Sequence, residues 1–201
     1  FALLQQIKRE GVRDLRYVFI HAVNPFGFAE LRRFNEINVD LNRNFPSSVA
    51  DYCGAPAGYV RLNEFLNPTS PPPFLEFFRL KAIAKILRFG LQPLKQAIAG
   101  GQYDFEQGIF FGGTGPCQST RIVCEHMSSW LGHAGAVVHI DFHSGLGKFS
   151  KYKLLLSEAS GTPEAEWYSS VFGEEYTEAS AAGGDRTAYQ ATGGFGEWLQ
   201  E

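Results

Sequence analysis

Three cysteines in 201 residues are too few, and odd in number, to make a disulfide framework. Cys117 and Cys124 stand seven apart, which is not the spacing of a zinc knuckle. With Cys53 they read as free thiols, which favours a reducing compartment and a cytoplasmic location. Charge of one sign is also lacking. Eighteen Lys and Arg stand against 21 Asp and Glu, a net charge of −3, so no basic surface advertises nucleic acid. No run is long and apolar enough to span a membrane, so no membrane partner is expected. No charged leader with an apolar stretch follows Phe1, and there is no internal repeat or low-complexity tract.

What remains is a globular composition. Apolar residues make up 44%, enough for a core, and the length suits one domain or a large part of one. The chain opens on "FALLQQIKREG" and closes on "GEWLQE", both like helices already under way, so both ends read as cut.

Residues 2–9 read as a helix stopped by Gly11. "LRYVFIHAV" (15–23) and "AVVHIDFHS" (136–144) are rich in β-formers, and "KYKLLLSE" (151–158) is a third strand. The first two are near-continuous apolar runs, expected as adjacent or nearly adjacent core strands. Residues 24–73 show little periodicity and many Asn, Pro and Gly, which suggests a long functional loop. "TSPPP" leads into a helix expected over 74–89. "GIFFGGTGPCQST" (108–120) reads as strand, turn and helix start. Residues 162–173 form a short helix and 178–186 a flexible loop. Strands alternating with helices argue for one α/β domain with a mixed sheet.

Four stretches could carry chemistry. "VDLNRNFP" (39–46) is either a turn stabilised by Asp and Asn or an arginine fork with an amide, shaped for a carboxylate. In "HIDFHSGLG" (139–147), strand period two puts His139, Asp141 and His143 on one face. His143 is either a metal ligand or a histidine bonded to Asp141. "GGTGPCQST" lacks the lysine of a phosphate loop and is a strand–helix turn. "TAYQATGGFGEW" (187–198) is a mobile phenol over a site, or an ordinary turn entering a helix.

In order, "NPFGF", "RRFNEINVDLNRNFP", "HIDFHSG" and "TAYQATGGFGEW" resemble the zinc metallocarboxypeptidase family of carboxypeptidases A, B and E. The resemblance is nearest to a bacterial branch of uncharacterised zinc peptidases. It implies a phosphorylase/hydrolase-like α/β fold with a mixed, mostly parallel central sheet flanked by helices. Residues 1–201 would be a fragment of one catalytic domain. It further implies that Arg33 polarises the scissile carbonyl, that Asn42 and Arg43 grip the terminal carboxylate, and that His143 ligates one zinc ion. Ser144 would lie beside that ligand, Tyr189 on the closing loop, and Gly196 near the floor of the specificity pocket. The expected substrate is a peptide or small amide with a free carboxylate.

The chain departs from the family in two ways. No HxxE occurs in residues 1–23, where the family's first two zinc ligands would lie. The family's general-base Glu follows the closing loop, and Glu197 and Glu201 are too near Tyr189 for that role. The expectation is a chain that lacks both ends of the domain, binds zinc poorly and is itself inactive. The alternatives are a deacylase of the aspartoacylase and succinylglutamate desuccinylase type, or a non-catalytic peptide-binding module. Under the resemblance, Arg33, Asn42, Arg43, His143 and Tyr189 should converge on one cleft, both arginines facing an open pocket because burying them unpaired is costly.

Overall fold

A computed structural model describes residues 2–11, 15–71, 73–143, 151–180 and 192–200. Among them are eight α-helices: α1 (Ala2–Glu10), α2 (Pro25–Ala29), α3 (Ala57–Leu66), α4 (Phe78–Phe89), α5 (Leu91–Ala99), α6 (Gln118–Leu131), α7 (Pro163–Phe172) and α8 (Phe195–Gln200). Two strands, β1 (Leu154–Ala159) and β2 (Thr177–Ser180), pair in parallel with Leu154 opposite Thr177. The described residues are therefore α/β, with helices dominant. None of these helices is long and apolar enough to cross a membrane.

Local signals explain the helix ends. Thr162 caps α7 by accepting the Ala165 N–H, Pro163 occupies the first turn, and Glu164 and Glu166 meet the positive end of the helix dipole. Gly11, Gly132 and Gly173 end α1, α6 and α7 with positive φ, as expected where the chain must leave a helix sharply. Connecting β1 to β2 through α7 makes the β–α–β unit that parallel strands require.

The expected central sheet is not present among the described residues. Residues 15–23 and 136–143 form neither strand nor helix, and Leu15, Phe19, Val138 and Phe142 are exposed. Strand propensity measures how a side chain packs on a pleated, paired surface, and neither segment has a strand partner here. Three further expectations are corrected. The supposed loop over 24–73 contains α2, α3 and two 3₁₀ turns, Leu41–Arg43 and Val49–Asp51. The helix expected from residue 74 begins at Phe78, and Thr177–Ser180, read partly as loop, is strand β2. The rest of that expected loop, 181–186, lies outside the described residues.

One core joins α6 to α8. Phe45, Val123, Met127 and Phe195 are buried together, with Trp130 and Trp198 packed against them. The Phe45 and Phe195 rings meet edge-on at 5.1 Å, a favoured aromatic geometry. A second packed region holds α3 on α5. Gly58 permits it, because a Cβ there would stand 2.7 Å from that of Ala97.

Asn44 ties the segments together. It is fully buried, and its amide uses all four hydrogen-bonding positions. Nδ2 donates to the carbonyls of Gly112 (2.6 Å) and Gly115 (3.0 Å). Oδ1 accepts from the Cys117 N–H (2.9 Å) and the Thr120 hydroxyl (2.6 Å). A backbone N–H can only donate and a carbonyl can only accept, so these partners fix the orientation of the amide. Asn44→Ala should cost about 3 kcal/mol by leaving several buried groups unpaired. Asn44→Asp, though isosteric, should be no better above pH ~4, because its carboxylate would face two carbonyls. Its deficit should shrink as pH falls and the acid becomes a donor. Urea unfolding of both variants between pH 4 and 8 checks the difference.

Candidate functional site

The sequence "RRFNEINVDLNRNFP" folds as a series of tight turns. Asn35 Oδ1 accepts from the backbone of Ile37 and Val39, and Asn38 takes a left-handed conformation (φ 63°) that asparagine tolerates. Its Nδ2 donates to the carbonyls of Glu106 and Gly108. Asp40 then caps the 3₁₀ turn, accepting from the Asn42 N–H at 3.2 Å, while its own N–H donates to Phe111. The turn is thereby pinned against residues 102–115.

Arg33 and Arg43 have different surroundings. Arg33 Nε donates to Asp40 Oδ2 at 2.7 Å, with the arginine side chain 42% exposed and the carboxylate buried. Arg43 is wholly buried, which overturns the expectation of an open pocket. Its Nε and Nη2 donate to the Ala99 carbonyl (3.2 and 2.6 Å) and its Nη1 to the Asn42 carbonyl. The expectation failed because it counted only acid partners, and backbone carbonyls do the same work for a guanidinium. Both cations lie over the Phe110 ring, at 4.7 Å for Arg33 and 5.8 Å for Arg43.

The C-terminal motif docks on the same turn. Gly193 accepts from the Phe45 N–H (3.0 Å), Thr192 N–H donates to Gly100, and Phe195 N–H donates to Asn42 Oδ1 at 3.3 Å. Tyr103 donates its hydroxyl to the Arg43 carbonyl at 2.8 Å, and burial raises its pKa, keeping it a neutral donor. A Cβ on Gly193 would stand 2.6 Å from that hydroxyl, so only glycine allows this approach. Burial of Arg43 and the role of Tyr103 escaped the sequence reading, whereas the turn held by Asp40 is one of the two readings it offered for 39–46.

His143 Nε2 lies 2.6 Å from Asp141 Oδ2 at the exposed end of 136–143. Arg33 and Asp40 both act electrostatically on His143, more weakly than its bonded partner Asp141. Arg33, Asn42 and Arg43 thus sit on one series of turns, with His143 in electrostatic range of Arg33, while Ser144 and Tyr189 lie outside the described residues. None of the four lines the cleft of about 490 Å³ between the 35–39 turn and the start of α6. Among the described residues, no three His, Cys, Asp or Glu side chains form a group able to hold a metal. His143 with Asp141 falls short of a tetrahedral set.

The family described as "Protein of unknown function (DUF2817)" matches residues 1–201. The chain belongs to this family. No curated protein and no solved structure matches it. The match spans every residue of the candidate site and assigns no activity to it.

In this DUF2817 chain His139 and His143 are tuned apart. The bond to Asp141 raises the His143 pKa, against the opposing effects of burial and Arg33. The same bond holds the Asp141 carboxyl below its usual range. Burial lowers the pKa of His139, whose ring sits edge-on to Phe195 at 4.9 Å. His143 therefore stabilises the fold fully below its unfolded value of ~6.5 and loses that contribution as pH rises through its raised folded value. Asp141 contributes above its unfolded value and loses it as pH falls through its lowered one. NMR titration should find the His143 midpoint above ~6.5 and that of His139 below it. Asp141→Asn should bring the His143 midpoint down and lower that of His139 further, since Asp141 raises both.

Proposed function

We propose that the protein is a metallocarboxypeptidase-like hydrolase, cleaving a C-terminal peptide bond or a related amide beside a free carboxylate with zinc as cofactor. The observation that carries this reading is the meeting of the Arg33–Asp40 pair, His143 and the Asn42–Arg43 turn. These come from two stretches, 33–43 and 139–143, with Arg33 and Asp40 in electrostatic range of His143, and Phe195 of a third stretch bonds to Asn42.

Each residue's part follows from its surroundings. Asp40 takes one edge of the Arg33 fork and so fixes the plane of the guanidinium. The half-exposed cation is then oriented before substrate arrives, as stabilisation of a developing oxyanion requires. Asn42, partly buried and anchored by Phe195, is the member of the turn left to meet a substrate carboxylate. Arg43 lends the turn positive charge and holds its shape through Ala99. Ser144 and Tyr189 keep the roles implied by the resemblance, beside the ligand and on the closing loop.

His143 is the zinc ligand in this reading, and the remaining ligands would have to come from residues other than those described. Zinc would supply a Lewis acid and a water of lowered pKa. Three free thiols, two of them exposed, favour a cytoplasmic setting.

The test is a zinc-supplemented assay of the full-length protein on N-blocked dipeptides, their C-terminal amides and N-acyl amino acids, since residues 1–201 alone are expected to bind zinc poorly and to be inactive. Hydrolysis of the free-carboxylate dipeptides alone is the expected result. Arg33→Ala should lower kcat about 10²–10³-fold with little change in KM. Arg33→Lys, which keeps a charge for Asp40 but lacks the planar fork, should recover stability more than rate. Faster cleavage of N-acyl amino acids would replace the peptidase with a deacylase. Saturable peptide binding without turnover would replace the enzyme with a binding module.

A further inference from the structure

Helix α4 has no buried residue, although eight of its twelve residues are apolar. One of its sides is partnered. The rings of Phe78 and Phe65 stack at 4.9 Å, and the Lys85 ammonium sits 4.9 Å over the Phe65 ring. At 100° per residue, Leu80, Ile83, Ala84 and Leu87 share the opposite face. Leu80 is 63% exposed, Ile83 51% and Leu87 82%. Arg79 and Arg88 border this face on its two sides. Exposed Phe74, Leu75 and Phe77 continue the apolar surface beyond the helix start.

Charge is segregated here. Residues 74–95 hold five cations (Arg79, Lys81, Lys85, Arg88 and Lys95) and one acid, Glu76, while the whole chain carries −3. Lys81 is paired with Glu76 at 2.9 Å. An apolar strip about 10 Å long from Leu80 to Leu87, edged by arginines, calls for a partner that is apolar inside and anionic outside.

We infer that α4 is an interfacial anchor that lies on an anionic phospholipid surface. Its leucines and isoleucine enter the acyl boundary, and Arg79 and Arg88 meet the headgroup phosphates. Among the described residues no helix is long and apolar enough to cross a membrane; lying on its surface needs only one amphipathic face with cationic edges. A second copy of the chain fits less well, because pairing these faces would bring arginine borders of like charge together. A protein groove that clasps one helix face would leave the exposed Phe74, Leu75 and Phe77 uncovered.

The test is cosedimentation of the purified protein with vesicles of phosphatidylcholine alone, or mixed with phosphatidylglycerol. The expected result is binding to the anionic vesicles only, weakened by added salt. Arg79→Gln with Arg88→Gln should lower partitioning about thirtyfold. Leu80→Ser with Leu87→Ser should abolish it. Both variants should keep the wild-type circular dichroism, since the changed side chains face solvent. Absence of binding, equal binding to neutral vesicles, or wild-type binding by both variants would overturn the proposal. So would vesicle-free dimers in sedimentation equilibrium that the leucine variant dissociates, which would assign the face to a second copy.

Discussion

The Asn44 amide is the constraint on which the rest of the site depends. Its four bonds reach the glycine-rich turn at 112–115 and the first turn of α6, more than sixty positions away in sequence. In water these groups would all find partners, so the net gain per bond is small. Inside the protein each is paired or costly, so the amide works by specificity. Only one arrangement of the 41–44 turn against α6 satisfies every member. That arrangement puts Phe45 into the core with Phe195 and leaves Asn42 and Arg43 at the docking point of Thr192 to Phe195. The carbonyl of Asn44 is held as well, by the Tyr52 hydroxyl at 2.8 Å.

Two arginines ten positions apart follow different physics. Asp40 is buried and Arg33 half exposed, so the pair places its anion in the protein and its cation toward solvent. Removing the cation would leave a buried, uncompensated carboxylate, which is far costlier than losing an exposed ion pair. Arg43 has given up water altogether, and the Ala99 and Asn42 carbonyls replace it. An arginine so enclosed holds the turn in place, whereas one partly in water can respond to a ligand. The geometry separates an enclosed arginine from a half-exposed one within a single motif.

The sequence made some of this legible, and the division follows range. Helices α1, α6 and α7 could be anticipated because their starts and stops lie within them or one residue outside, as with Thr162, Pro163 and the closing glycines. Strand β1 could be anticipated from its leucines, since α7 returns a partner nearby. The segments at 15–23 and 136–143 failed as strands because pairing is a property of two segments. Helix α3 was missed although Tyr59, Leu62 and Leu66 have helical spacing, because the surrounding Asn, Pro and Gly residues hid the period. At the site, the seven-residue interval between Arg33 and Asp40 was visible, and their ion pair is local. The burial of Arg43 was not, because it depends on Ala99, Gly101 and Gly193.

Phe110 shows how these levels interlock. Its φ of 55° is unfavourable for a bulky residue and costs about 1–2 kcal/mol. It persists because the backbone on both sides is already committed. Ile109 N–H bonds the Asn67 amide, and its carbonyl accepts from Tyr59. The Phe110 carbonyl accepts from Gln102, and that of Phe111 from Asp40. The chain must turn between these anchors, and it does so at the residue whose ring then meets both guanidinium groups. Strain held in place by its neighbours tends to collect where side-chain position matters more than local stability. An aromatic wall beside Arg33 also removes water from one face of the cation. That strengthens its attraction for an anion arriving from the other side.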